Sequence, residues 1–354
     1  MRQTKLLAVV ASAVAMALAA LSGSSALAGG NNWAWVTARI ASGYQDYIPL
    51  ANDQGNQSTG GDNHVIWQAK GKYQIRFANA GQSGGVIHVT PLGTTSHICT
   101  VTTWGASGPD ELAYVRCWDR LGHLANTPFS VNYTFGLGST GKMGYFWLDN
   151  PTTTYDLGGL YNYNSTGGTN HISHDSVGHY TVTIGGLGAN SGNVQVTAYG
   201  TLPSTCRASY WGTFQPDQQI GVTCGNLAGS FADTSFNMTY VDGIGLQGYT
   251  IGKYAYFWAN QPHSSSYLPD SSYRKSTSGS GPVVIRNGIG RYTVHLLGIT
   301  THGGSVQVTA YGTGKVRCQV AGIAKTGSPQ TVSVRCFKPT GALTDSKYSF
   351  MFTR

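Results

Sequence analysis

Charge is scarce in this chain of 354 residues: Asp, Glu, Lys and Arg together make up 10%, where about a quarter is usual. Lys and Arg number 22 against 14 acids. Setting aside the first 28 residues, which hold Arg2 and Lys5, leaves 20 against 14, a net of +6. No basic stripe concentrates that surplus, which argues against a nucleic-acid partner. Attraction to anionic cell-wall polymers is compatible with it. Carboxylates are few as well, with Glu111 the single glutamate beside 13 aspartates. The chain has no His-Glu-x-x-His helix and no Asp-x-Asp-x-Asp-Gly calcium loop, so the common metalloprotease and calcium signatures are missing. Beyond the first residues no window of ten or more has helical spacing. Neutral Gly, Ser, Thr, Asn and Tyr fill the gap that the charges leave.

One long apolar run is present, Leu6 to Leu21, after a start charged by Arg2 and Lys5. At 16 residues it is shorter than the ~20 that span a bilayer, and Ala26-Leu27-Ala28 follows as a small-x-small cleavage pattern. Residues 1–28 read as a secretory signal cut before Gly29. No Cys for lipid attachment follows the run, and Phe350 to Arg354 carries neither an apolar tail nor a sorting motif. The expected destination is extracellular, with no membrane insertion after cleavage.

The remainder repeats. Gly71-Lys72-Tyr73, Gly178-His179-Tyr180 and Gly290-Arg291-Tyr292 open similar strands. Val89-Thr90-Pro91-Leu92-Gly93, Val196-Thr197-Ala198-Tyr199-Gly200 and Val308-Thr309-Ala310-Tyr311-Gly312 follow. Six positions after each closing Gly stands a Cys, 18 further on another, and 12 beyond that Phe129, Phe236 or Tyr348. Such offsets define three units at 33–138, 142–246 and 252–354. Each begins with an aromatic strand, matched as Trp33-Ala34-Trp35, Tyr145-Phe146-Trp147 and Tyr256-Phe257-Trp258. Period-2 alternation, as in Tyr180, Val182 and Ile184, predicts about six antiparallel strands per unit. The fold class is all-β, with three sandwich-like or barrel-like units. In an exported chain, Cys99–Cys117, Cys206–Cys224 and Cys318–Cys336 are the pairing that repeats identically in every unit. A lone Cys pair without His or Asp at ligand spacing argues against metal. Gly-rich joins at 136–141 and 242–252 favour independent beads over packing around one axis.

Candidate chemistry is thin. Asp233 and Asp345, with Asn126 at the same place, read as Asx residues capping their own turn. Asp149 with Asp156, or Asp110 with Glu111, are the carboxylate pairs a glycosidase could use. His171-Ile172-Ser173-His174-Asp175 reads as a solvated loop, since residues three apart in a strand point to opposite faces. Trp104, Trp211 and Ile323 share a buried apolar slot. Surface candidates are Asn63 and His64, their counterparts Asn170 and His171, and the loop tyrosines Tyr47, Tyr155 and Tyr267. The third unit departs there, with Pro282 and Val283.

The recurrent Val-x-Val-Thr-Ala-Tyr-Gly, Cys and Val-x-Cys-Phe phrasing resembles secreted tandem-repeat proteins of actinobacteria. The resemblance covers the chain beyond the signal and implies export and repetition; no activity comes with it. The sequence therefore predicts an extracellular binding or adhesion protein for a glycan or cell-wall polymer, without cofactor or metal. A structural surface protein is the alternative, and a secreted hydrolase the next.

Overall fold

The computed structural model describes residues 32–43, 45–57, 61–136, 141–248, 252–324 and 328–354. The expected signal segment lies outside them. Among the described residues there are 27 strands and one short 3-10 turn at Ser271–Tyr273. Three disulfides have formed, Cys99–Cys117, Cys206–Cys224 and Cys318–Cys336, as suits an oxidising, extracellular environment. No helix among these residues is long and apolar enough to cross a membrane.

The first nine strands are β1 (Asn32–Ala38), β2 (Asp46–Tyr47), β3 (Gln54–Asn56), β4 (His64–Ala69), β5 (Lys72–Phe77), β6 (Val86–Pro91), β7 (His97–Ser107), β8 (Asp110–Asp119) and β9 (Phe129–Phe135). They form an inner sheet ordered β3-β1-β9-β6 and an outer sheet ordered β2-β4-β5-β8-β7. The same order of nine strands occurs over residues 142–242 and again over 254–353. We call these the first, second and third runs. No sheet among the described residues closes on itself, so each run is a two-layer sandwich and not a barrel. Nine strands replace the expected six: β2 and β3 are too short for periodicity to reveal, and β4, of six residues, lies where the sequence reading placed a polar loop.

Each sandwich has its own core. In the first run Val36, Val89 and Val131 of the inner sheet meet Ile75, Val101 and Val115 of the outer sheet. The Gly-x-Tyr signature closes one edge of it. Gly71, Gly178 and Gly290 have positive φ, and a Cβ on any of them would lie 2.5–2.7 Å from the carbonyl oxygen of Cys117, Cys224 or Cys336. Only glycine fits both conditions. Their N–H groups donate to Asn126 Oδ1, Asp233 Oδ1 and Asp345 Oδ1 at 2.8–2.9 Å. The Asx residues therefore pin a turn distant in sequence instead of capping their own. The hydroxyls of Tyr73, Tyr180 and Tyr292 accept from the N–H of Thr127, Thr234 and Ser346 beside them.

The inner strands overturn the bead expectation. β6, its second-run equivalent β15 (Asn193–Ala198) and the core of its third-run equivalent β24 (Ser305–Tyr311) are buried on both faces. One face is apolar and enters the sandwich; the other is polar and meets the neighbouring runs. Thr90 Oγ1 donates to Gln307 Oε1 at 2.8 Å, and Thr309 Oγ1 donates to Gln195 Oε1 at 3.0 Å. Thr197 Oγ1 lies 3.1 Å from His88 Nδ1, closing the cycle. Each threonine also accepts a backbone N–H across the join, from Val308, Val196 and Val89 respectively.

A second ring surrounds the first. Gly93, Gly200 and Gly312 each donate an N–H to the next run, to Val320, Val101 and Ala208. Their carbonyls accept from Gln319, Thr100 and Arg207. The Gly-rich join after the second run is no free spacer, since Ile244 and Leu246 are fully buried against Met143, Tyr254 and Met351.

The axial threonine carries a stability prediction. Thr90→Val keeps the shape but removes the partner of Gln307 Oε1 and of the Val308 N–H at a buried join. Urea denaturation should show a loss of about 1–3 kcal/mol. A change under about 0.5 kcal/mol would mean that the axial ring is not carrying the interface.

Candidate functional site

The opening strands align two residues away from the sequence-based matching. Trp35 faces Asn132, Tyr145 faces Thr239 and Tyr256 faces Met351, and those three partners are equivalent. Trp147 and Trp258 therefore occupy the place of Thr37. That shift sets the chemistry of the three seams between runs. At the first seam Trp104, Trp147, Tyr161 and Tyr199 pack with ring centroids 5.1–5.8 Å apart. At the second, Trp211, Trp258, Tyr273 and Tyr311 pack at 4.9–6.0 Å. Each such pair contributes about 0.5–1.5 kcal/mol.

At the third seam, between the third and first runs, the same four places hold Ile323, Thr37, Asp53 and Leu92. An ion pair stands in for the rings: Arg39 Nε lies 2.7 Å from Asp53 Oδ2, and Arg39 Nη1 donates to the Ile323 carbonyl at 3.3 Å. Trp104, Trp211 and Ile323 are buried, so the expected apolar slot exists. It forms part of the seams.

The same seam is distinct at the end of the axis where three hairpin tips meet. A Cβ on Gly122 would lie 2.9 Å from Leu227, one on Gly229 2.7 Å from Pro339, and one on Gly341 2.8 Å from the Arg120 stem. The first tip thus receives a leucine, the second a proline beside the Lys315 stem, and the third only the stem of an arginine. Beside that third contact lies a cavity of about 450 Å³. Phe337 and Leu343 give it apolar walls, and Leu121, 58% exposed, stands at its rim. Facing them are Thr94 and Thr95 on the loop before β7 and His97 at its start, with Asp119 and Arg120 at the end of β8.

That loop is held tightly. Gln319 Nε2 donates to the carbonyls of Gly93 and Thr95, both at 2.8 Å, and its Oε1 accepts from the His97 N–H at 3.0 Å. Arg317 Nε donates to Ser96 Oγ at 2.8 Å, and Arg335 Nη1 to the Thr94 carbonyl at 2.6 Å. Burial lowers the pKa of Arg317 to about 10, so it stays charged at neutral pH. Burial also lowers the pKa of His97, which favours its neutral, two-sided hydrogen-bonding form. For Asp119, burial works to raise the pKa but is outweighed by the N–H groups of His123 and Leu121, so the carboxylate stays ionised. The result is a preformed pocket with an apolar wall and a few convergent polar groups, the usual make-up of a ligand site.

The residues singled out from sequence lie elsewhere. Asn63 and Asn170 are fully buried. Asn63 Oδ1 accepts from the Ala78 N–H, and Asn170 Nδ2 donates to Asn162 Oδ1 and the Tyr163 carbonyl. Both pin loops, and Asn63 also borders a separate hollow of about 490 Å³ with Gln54, Asn56 and Asp62. His64 and His171 bond to Asp46 and Asp156 at 2.8 and 2.6 Å. Tyr47, Tyr155 and Tyr267 are half-buried against the three cores, with their hydroxyl pKa values raised chiefly by that burial. They belong to core edges more than to a binding surface. The His171–Asp175 segment is strand β13 (Asn170–Ser176) and not a loop. Its two histidines go separate ways, His174 to Asp233 at 2.9 Å.

The carboxylates do not converge either. Asp149 accepts from the Tyr155 hydroxyl, and Asp156 is taken by His171. Asp345 is held down at about 2, first by its hydrogen bond from Arg286. Asp110 and Glu111 are neighbours on one strand and face opposite ways. Asp110 takes the Asn79 N–H at the surface, while Glu111 is fully buried with Oε1 unpartnered. The equivalent places hold Gln218 and Gln330, also fully buried. Burial pushes Glu111 up to about 8, so it serves as a neutral glutamine-like plug. Sequence reading missed the seam cavity because its walls come from both ends of the described chain. The signal available was the third unit's departure from the aromatic pattern.

Glu111 makes stability depend on pH. Its folded pKa lies above the unfolded value, so its favourable share is complete below about 4.5, falls as pH rises toward 8, and is gone above that. Glu111→Gln should therefore stabilise the protein on the order of 3 kcal/mol at pH 8.5 and by far less at pH 4. Thermal melts of both proteins across that range test it, and an equal effect at both ends would exclude a protonated Glu111.

No family model, curated protein or solved structure matches the chain.

Proposed function

We propose that the protein is a secreted binding protein for an extracellular glycan or cell-wall polymer. In this reading the three runs are copies of one unit closed into a ring, residues 1–28 direct export, and the ligand sits at the third seam. The observation that carries it is the cavity beside Gly341, at the seam where an ion pair stands in place of the aromatic rings. A sugar presents C–H faces and hydroxyls together. Leu121, Phe337 and Leu343 suit the former; Thr94, Thr95, His97, Asp119 and Arg120 suit the latter. The segment from Thr94 to His97, which carries three of these polar groups, is fixed by Gln319, Arg317 and Arg335, so little ordering entropy opposes binding.

The open edges speak against the polymerising structural alternative. The outer sheets end in β2, β11 (Tyr155–Leu157) and β20 (Ser266–Tyr267), of two or three residues, too short to template pairing with another chain. At the opposite edges β7, β16 (Thr205–Phe214) and β25 (Arg317–Ile323) are engaged by the neighbouring run.

Glycan arrays and pull-down on isolated cell wall test the proposal. Binding by the mature protein should drop about 3- to 10-fold in Leu121→Ala, which removes exposed apolar area at the rim and little core packing. Blank arrays and a blank pull-down would exclude the reading.

A further inference from the structure

A second hollow, of about 260 Å³, opens on the outer sheet of the third run and meets the first cavity at Thr94. It exists because this run has small residues where the others carry rings. Ser333 stands at the place of Tyr114, and Ala321-Gly322 at that of Ser209-Tyr210. In the second run Tyr210 lies over Gly221, so that a Cβ there would come within 2.3 Å of the ring. The third run has no such cover.

Arg291 and Arg335 flank the hollow from directly opposed positions on adjacent strands. Like charges so placed destabilise a sheet by roughly 0.2–1 kcal/mol. No carboxylate among the described residues forms an ion pair with either, and none lines the hollow. Thr293, Ser333 and Asn287 add hydroxyl and amide groups. Arg335 spends Nη1 on the Thr94 carbonyl, which orients its guanidinium and leaves Nη2 and Nε for a further acceptor. The first run has a comparable basic pair, Lys72 opposite Arg116, but Tyr114 stands there at the place of Ser333. Two cations, neutral donors, a hollow and no counter-charge are the requirements of an anion site.

We propose that this hollow seats an anionic group of the polymer, a carboxylate or a phosphodiester, carried one or a few residues along from the part held in the first cavity. The inference rests on the glycan or cell-wall reading above and narrows it to an acidic polymer. A chain crossing Thr94 would touch both hollows, and its charge would relieve the repulsion between Arg291 and Arg335.

Titration calorimetry with polygalacturonate, poly(glycerol phosphate) and neutral dextran tests this. The wild-type protein should prefer a polyanion to dextran, with affinity falling as salt rises; whichever polyanion binds tighter identifies the anion. Arg291→Gln with Arg335→Gln should lower polyanion affinity at least about 10-fold and flatten the salt dependence. Lys72→Gln with Arg116→Gln removes the same charge elsewhere and should stay within about twofold. Equal losses in both double variants, or none in the first, would overturn the anion site. Binding to neutral glycans without preference for charge would overturn it while leaving the polymer-binding reading intact. Binding to no polymer would remove both.

Discussion

Three threonine hydroxyls hold the middle of the molecule, and the arrangement of everything around them depends on their pairing. Thr90, Thr197 and Thr309 each take a backbone N–H and a Gln or His side chain across a join between runs. A buried polar group left unpaired costs about 1–3 kcal/mol, and a one-residue slip in β6, β15 or β24 would unpair several at once while turning valines toward them. The ring therefore selects one mutual register for three sheets. Its net contribution to stability is modest, because water would satisfy the same groups in the unfolded chain. Specificity is the larger part of what it supplies.

His88 shows how strict that environment is. It occupies the place of Gln195 and Gln307, between Thr197 Oγ1 and Thr239 Oγ1 at 3.1 and 2.7 Å. Burial lowers its pKa to about 3, so the ring stays neutral and offers one donor and one acceptor, as an amide does. Glu111 is the mirror case at the edge of the first core, a carboxyl held protonated where the other runs use glutamine. In both places hydrogen-bonding capacity is kept across the runs and the residue type is not.

Much of the scaffold is legible in the sequence. The fixed Gly, Cys and aromatic offsets located the strands and the disulfides, because hairpin geometry demands equal spacing. What periodicity could not show was that the polar face of β6 and its counterparts is buried. Alternation looks the same whether the second face meets water or another sheet. The recurrence of Thr90, Thr197 and Thr309 was the available clue, being a polar identity kept in all three runs. The two-residue error in aligning the opening strands has an equally physical cause. Trp33 and Trp35 imitate an aromatic pattern that, in the other runs, belongs to residues facing a seam. The site itself was illegible, since Thr94 and Arg335 are 241 positions apart and neither recurs with its surroundings.

In a ring of near-equivalent runs, any feature required by the fold tends to appear three times, whereas a feature present once needs its own reason. Two seams are sealed by four aromatic rings each; the third is joined by Arg39 and Asp53 and flanked by both hollows. Replacing packed rings with an ion pair and small side chains gives up aromatic contacts worth some kcal/mol, so stability alone would favour a third aromatic cluster. The departure is also coordinated. Arg120 replaces the apolar contact at one tip, Ser333 and Gly322 clear the sheet below, and Arg317, Gln319 and Arg335 brace a loop from the opposite run. Drift at independent positions would give scattered losses, not two adjoining hollows that share Thr94. Function is therefore best sought where the symmetry fails, and in this protein it fails along one line.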